Sequence, residues 1–118
     1  DHIADIQKTF ASVVGVVLLL IGLIGFVNNP ILGLFGVNAL QNVLHLVVGA
    51  LGVWLGMKGN VKAYNQWLGI GAVVVGVLGL IPGVTDILAS IFGINMAISV
   101  LHILIGVVSL GVVYGLKK

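Results

Sequence analysis

The sequence predicts an all-α membrane protein: a four-transmembrane-helix bundle made of two tandem helical-hairpin repeats related by a pseudo-two-fold axis. Composition is the first reason, because 118 residues that are 60% hydrophobic and 7% charged, with a mean hydropathy of +1.31, carry too little polar surface to cover a soluble domain. Repetition is the second. Leu34-Phe35-Gly36-Val37-Asn38, then Val43-Leu44-His45 and Gly49, returns 57 positions later as Ile91-Phe92-Gly93-Ile94-Asn95, then Val100-Leu101-His102 and Gly106, and self-similarity of this kind reveals architecture directly. Segment length is the third: the apolar stretches 10–27, 38–57, 64–81 and 95–116 each approach the ~20 residues that a helix needs to cross ~30 Å of hydrocarbon. Inside a bilayer every backbone group must be bonded within the protein, and the alternating polarity of a barrel strand is absent, so these are helices.

The chain reads as one integral membrane domain, 1–118, with repeat 1 at about 5–61 and repeat 2 at about 62–118. The segment 10–27 is a span and not a secretory signal, because no small-x-small site follows it and its counterpart in the second half is retained. Upstream of the shared motif the match continues: Gly22-Leu23-Ile24 returns as Gly79-Leu80-Ile81, Val17 as Val74 and Val27 as Val84. Residues 10–57 are therefore expected to superpose on 67–114. Asn28-Asn29-Pro30 is a turn signal, and 30–37 is too apolar for a free loop, so it should lie along the outer interface. The second span opens at Asn38, a good N-cap, with Gly36 before it for a sharp turn. Between the repeats come Lys58 and Lys62. After the third span, 85–94 is expected as a short interfacial helix or turn capped by Thr85 or Asp86, and Asn95 opens the fourth span as Asn38 opens the second.

Small residues recur at spacings of three and four, which lets helix backbones approach closely. The seams are Ala11, Gly15, Gly22 and Gly25; Gly49, Gly52, Gly56 and Gly59; and Ala72, Gly76, Gly79 and Gly83. Gly111 and Gly115 also fit a small-xxx-small contact.

Charge orients the bundle. All five basic residues, Lys8, Lys58, Lys62, Lys117 and Lys118, fall at the termini or in the middle loop, while the loops 28–37 and 82–94 have none, which by the positive-inside rule puts both termini in the cytoplasm. Trp54, Tyr64, Trp67 and Tyr114 fall at span ends on that side, as an aromatic belt would. The pI near 9.2 reflects this bias and gives anionic lipid a weak attraction. Five separated lysines without arginine make no nucleic-acid surface. With no cysteine there is no disulfide, zinc–thiolate site, iron–sulfur cluster or thiol chemistry.

The candidate site is a polar stripe. Asn38, Asn42, His45 and Gly49 lie on one helical face, and Asn95, Ser99, His102 and Gly106 repeat it, so the histidines sit at matching depth, about 10 Å below the outer helix ends at ~1.5 Å per residue. The plainest reading is structural: each imidazole is neutral and bonds an asparagine, a serine or a carbonyl across the bundle. Ser99, three residues before His102, suggests one such bond. The alternative is tetrapyrrole ligation, with His45 and His102 holding one haem b iron from both sides, or a chlorophyll magnesium each, and Gly49 and Gly106 leaving room for the macrocycle edge. A proton path or contact with another subunit is a further possibility. The three acids, Asp1, Asp5 and Asp86, lie outside the spans, so there is no intramembrane carboxylate, acid–base pair or triad. Two histidines are too few for zinc, Met57 and Met96 are off the histidine face, and His2 is near an end.

The unit Phe-Gly-x-Asn followed by Asn/Ser-x-Leu-His and a glycine four residues on resembles an uncharacterised bacterial family of small four-span membrane proteins, labelled a domain of unknown function and best known from actinobacteria and cyanobacteria. The resemblance covers nearly the whole chain and is strongest at Phe35, Gly36, Asn38, His45 and Gly49. It implies a four-helix bacterial membrane protein and carries no activity. The expected function is therefore a non-catalytic accessory or scaffolding subunit in the inner membrane, packed against other membrane subunits or copies of itself, without a cofactor. Pigment binding is the alternative. A minimal channel comes third, because the interior is mostly glycine and aliphatic.

Overall fold

The computed structural model describes residues 2–59 and 61–115, so Asp1, Lys117, Lys118 and the last residue of the expected fourth span lie outside the described residues. Five α-helices follow one another: α1 (His2–Val27), α2 (Ala39–Lys58), α3 (Lys62–Leu78), α4 (Val84–Phe92) and α5 (Met96–Leu110), which runs into a π-helical turn at Gly111–Gly115. The protein is all-helical; among the described residues there is no strand, only a single bridge between Ile31 and Phe35. Among the described residues three segments are long and apolar enough to cross a membrane: α1, α2 and the 20 residues Met96–Gly115. α3 has 17 residues, about 25 Å at ~1.5 Å per residue. It stops short of the expected end because Ile81 precedes Pro82, and a residue before proline is driven out of the helical region. α1 starts well before its apolar segment, since 2–9 contains no glycine or proline and Asp5 suits the first turn.

α1 packs on α2, and α3 packs on α5. Glycine makes both contacts possible. A Cβ on Gly15 would lie 2.7 Å from the Gly49 carbonyl oxygen and the Val53 nitrogen, and one on Gly49 would lie 2.7 Å from the Gly15 carbonyl oxygen. In the other pair a Cβ on Gly106 would meet the Gly69 carbonyl oxygen and the Val73 nitrogen at 2.8 Å. Backbone thus lies against backbone.

These contacts correct the repeat. Gly22 lies against Asn42 and Leu46, whereas the helix facing Ser99 and Ile103, their counterparts, presents Gly76 and not Gly79. Gly25 meets the Asn42 side chain, and Gly79 meets that of Ser99. Gly15, Gly22 and Gly25 therefore correspond to Gly69, Gly76 and Gly79, one helical turn away from the expected offset, while α2 and α5 keep that offset. The expected superposition of 10–57 on 67–114 fails for the first helix of each half. The connection from Gly79 to Gly93 is three residues longer than that from Gly25 to Gly36, and it holds the nine-residue α4. The seams shift with it: Ala72 and Gly83 drop out, Gly69 enters, and Gly59 is instead a left-handed helix cap with φ 94°, where glycine carries no steric cost.

Neither Thr85 nor Asp86 caps α4, whose N-cap is Gly83 without a side-chain bond. The Thr85 hydroxyl donates backwards to the carbonyls of Gly79 and Ile81, both at 2.8 Å. The first connection is a tight turn in which the Asn28 and Asn29 carboxamide oxygens accept from the Leu32 and Val37 amides. Gly52 and Gly56 face Tyr64 and Ser12 within the molecule, and a Cβ on Gly111 or Gly115 would touch nothing.

Overpacking a closed backbone seam costs about 1–3 kcal/mol. Gly15→Val should accordingly lower the unfolding midpoint in thermal or detergent titration followed by circular dichroism, and Gly111→Ala should leave it unchanged within error.

Candidate functional site

The two halves meet where their Phe-Gly-x-Asn segments cross. Asn38 and Asn95 each cap their own helix, their side-chain oxygens accepting from the Gln41 and Ile98 amides. Their other contacts reach across. Asn38 Nδ2 donates to the Ile91 carbonyl at 2.9 Å, and Asn95 Nδ2 donates to the Leu34 carbonyl at 2.9 Å. Asn95 Oδ1 also accepts from the Gly36 amide at 2.9 Å. Both segments come this close because Gly36 and Gly93 each face the backbone of the opposite segment: a Cβ on Gly36 would lie 2.7 Å from the Gly93 carbonyl oxygen, and one on Gly93 would lie 2.7 Å from that of Val37. Gln41 adds a third pin, its Nε2 donating to the Phe92 carbonyl at 2.8 Å and the Gly36 carbonyl at 3.2 Å. Val37, Ile94 and Ile98 are buried at the crossing.

Two turns deeper, His45 and His102 meet. Their Nε2 atoms are 3.5 Å apart and the rings stand at 60°, the outer limit of a hydrogen bond, which requires one ring to donate and the other to accept. The partner of each imidazole is thus the other imidazole, and not the asparagine, serine or carbonyl that sequence reasoning expects. Both Nδ1 atoms are buried without a partner among the described residues. The Ser99 hydroxyl does not bond His102. It lies against Gly79, as the Asn42 carboxamide oxygen lies against Gly25, and neither oxygen has a hydrogen-bond partner among the described residues. The stripe therefore divides: Asn38, Asn95, His45 and His102 face the opposite hairpin, while Asn42 and Ser99 face their own.

Gly49 and Gly106 do not leave room for a macrocycle, because the space beside each is filled by the backbone of its hairpin partner. Two imidazoles in line on one metal stand about 4 Å apart, at ~2.0 Å per bond. The 3.5 Å separation would have to open before a tetrapyrrole fitted between them. No group of three or more histidine, cysteine or acidic side chains comes together among the described residues.

At the other end, residues that the sequence did not single out tie α1, α3 and the π-helical turn. Gln7 Nε2 donates to the Val112 carbonyl at 2.8 Å, Asn65 Nδ2 donates to Gln7 Oε1 at 2.8 Å, and Ser109 Oγ donates to the Asn65 carbonyl at 2.5 Å. Gln7, Asn65 and Ser109 are buried. Tyr64 joins this interior and leaves the expected belt, its hydroxyl donating to the Val48 carbonyl at 2.8 Å. Trp54, Trp67 and Tyr114 stay exposed, and Lys58 Nζ lies 5.9 Å from the Trp54 ring centroid. Lys8 lies beside Gly59, so the described lysines gather at this end.

An apolar all-helical chain pinned by amides at both ends and by paired histidines between them defines the class: a small helical protein with the character of a membrane protein. The chain belongs to the family described as Domain of unknown function (DUF4383), whose model matches residues 8–115. No curated protein and no solved structure matches it.

Losing an N-cap costs about 1 kcal/mol and each further bond roughly 0.5–1.5 kcal/mol. Asn95→Ala should destabilise by about 2 kcal/mol, and by more than Asn38→Ala, which removes one cross-hairpin bond fewer. Asn38→Asp, which keeps the cap acceptor and loses the donor to Ile91, should fall between wild type and Asn38→Ala in the same unfolding assay. His45→Gln should be better tolerated than His45→Leu, because leucine leaves His102 Nε2 unpaired.

Proposed function

We propose that the chain is a four-span integral membrane protein of two hairpins related by a pseudo-two-fold axis along the membrane normal, both termini cytoplasmic. It acts as a non-catalytic accessory or scaffolding subunit of a bacterial inner-membrane complex or homo-oligomer. The observation that carries this is the inverted surface. Val13, Leu20 and Leu23 on α1, Val47 and Trp54 on α2, Trp67 and Val74 on α3, and Leu104, Val107 and Val108 on α5 are all exposed, whereas Gln7, Gln41, Asn42, Asn65, Ser99 and Ser109 are buried. Such a surface suits hydrocarbon and not water. The long dimension of 43 Å fits a bilayer of ~40–45 Å with its headgroups, and α3 with the turn after it supplies the fourth crossing.

The interior supports the non-catalytic part of the reading. Asn38, Gln41, Asn65, Asn95 and Ser109 bond helix ends and crossings, and the histidines face each other, while the acids among the described residues, Asp5 and Asp86, lie in the first turns of α1 and α4. Such contacts specify which helices meet. What is left for a partner is the apolar outer face.

Cysteines introduced at Asn29 and Lys62 should react with an impermeant thiol reagent from opposite sides of the membrane, with Lys62 on the cytoplasmic side; labelling from one side would refute the four-span topology. Purified protein should be colourless and should co-migrate with itself or other membrane subunits after cross-linking in the membrane. A Soret band lost in both His45→Ala and His102→Ala would reassign it to pigment binding.

A further inference from the structure

We propose that the cavity between the two hairpins is a binding site for a single hydrocarbon chain of a membrane lipid, either a phospholipid acyl chain or an isoprenoid chain, entering sideways from the bilayer between α2 and α3. The inference rests on the membrane residence proposed above. The cavity measures about 440 Å³, within the ~300–1,000 Å³ typical of ligand sites. Its walls are almost wholly apolar, with Leu44, Val48 and Leu51 from α2 and Leu68, Gly71 and Val75 from α3.

Three observations choose the occupant. The first is shape. The lining runs along α2 from Gln41 to Leu51 and along α3 from Tyr64 to Val75, about 15 Å at ~1.5 Å per residue, so the slot is elongated along the helix axes. That is the direction in which lipid chains lie. The second is polarity: the Tyr64 hydroxyl bonds Val48 and Gln41 Nε2 bonds Phe92 and Gly36, while Gln41 Oε1 and the two imidazole Nδ1 atoms, which have no partner among the described residues, are themselves buried and do not open onto the slot. A water needs two to four polar partners and would not find them, whereas hydrocarbon needs none. The third is Gly71. Most glycines in these helices face a neighbouring backbone, but a Cβ on Gly71 would meet nothing within 4 Å, and Gly71 lines the cavity. A helical glycine without a close contact keeps the slot open.

The probe is a phosphatidylethanolamine with a diazirine in its acyl chain, incorporated with the full-length protein into phosphatidylethanolamine–phosphatidylglycerol vesicles, photolysed and mapped by mass spectrometry. Label on Leu68 and Val75 should exceed that on Leu23 and Val107 of the outer face. Gly71→Leu, which fills the slot from a wall with free space, should abolish the excess while leaving the outer-face label unchanged, and Gly111→Leu, equally unhindered but outside the cavity, should retain it. If Gly71→Leu melts far below wild type, Ala72→Leu on the same wall takes its place. Competition by an unlabelled isoprenoid alcohol, but not by unlabelled phospholipid, identifies an isoprenoid as the natural source, and the reverse identifies an acyl chain. Cavity label no higher than outer-face label, label unchanged in the filled variants, or a Soret band in the wild-type protein would overturn the proposal. Protein released from membranes by alkaline carbonate would fail the membrane reading itself, whereas integral protein without cavity label fails only the chain-binding site.

Discussion

The crossing of two Phe-Gly-x-Asn segments is the constraint on which the rest of the structure depends. Each glycine lets one backbone lie against the other, and each asparagine then does two things at once: it caps its own helix and donates to the carbonyl of the opposite segment. The cap fixes where α2 and α5 begin. The donated bond fixes where the two beginnings stand relative to each other. Helix-end groups removed from water are costly when unsatisfied, so a side chain that both caps its own helix and bonds the opposite segment meets two needs at once. Everything deeper in the bundle inherits this registration, including the meeting of His45 and His102 from equivalent positions on the two helices.

Within each hairpin a different force dominates. Close packing holds each pair of helices together, with Gly15 on Gly49 and Gly69 on Gly106 bringing backbones into direct contact. Between the hairpins packing is sparser, with amides at the two ends and the histidine pair between them. This division leaves the apolar cavity beside α2 and α3. Tight seams within halves and polar pins between them give two closely packed pairs of helices joined at a few specified points.

Much of this was legible in the sequence, and the reasons are physical. Hydropathy gives the helices because long apolar runs without a period of two leave little else, and Asn38 and Asn95 announce themselves as caps by residue type. The register of α1 and α3 was misread because Gly22-Leu23-Ile24 and Gly79-Leu80-Ile81 resemble each other by composition, whereas the spacing of Ala11, Gly15, Gly22 and Gly25 recurs in Asn65, Gly69, Gly76 and Gly79. That spacing carried the contact information: Asn65 is its first member in the second half and Gln7 lies one turn before Ala11 in the first, and these are the amides that close the far end. The histidine partnership was hidden for another reason. A face on a helix shows which residues point together, not which neighbour they meet, and Asn42 and Ser99 share that face yet turn toward their own hairpins.

The crossing is tested most directly at Gly36, whose added Cβ would meet the Gly93 carbonyl, a backbone atom that no rotamer change can move aside. The measurement is thermal unfolding of Gly36→Ala beside Gly71→Ala, each compared with wild type in the same lipid or detergent. Gly36→Ala should lower the midpoint by roughly 5–15 °C, the range expected for overpacking a closed contact, while Gly71→Ala, in open space, should match or exceed wild type. A Gly36→Ala protein that melts with the wild type would contradict the account, because the two segments would then not be in contact.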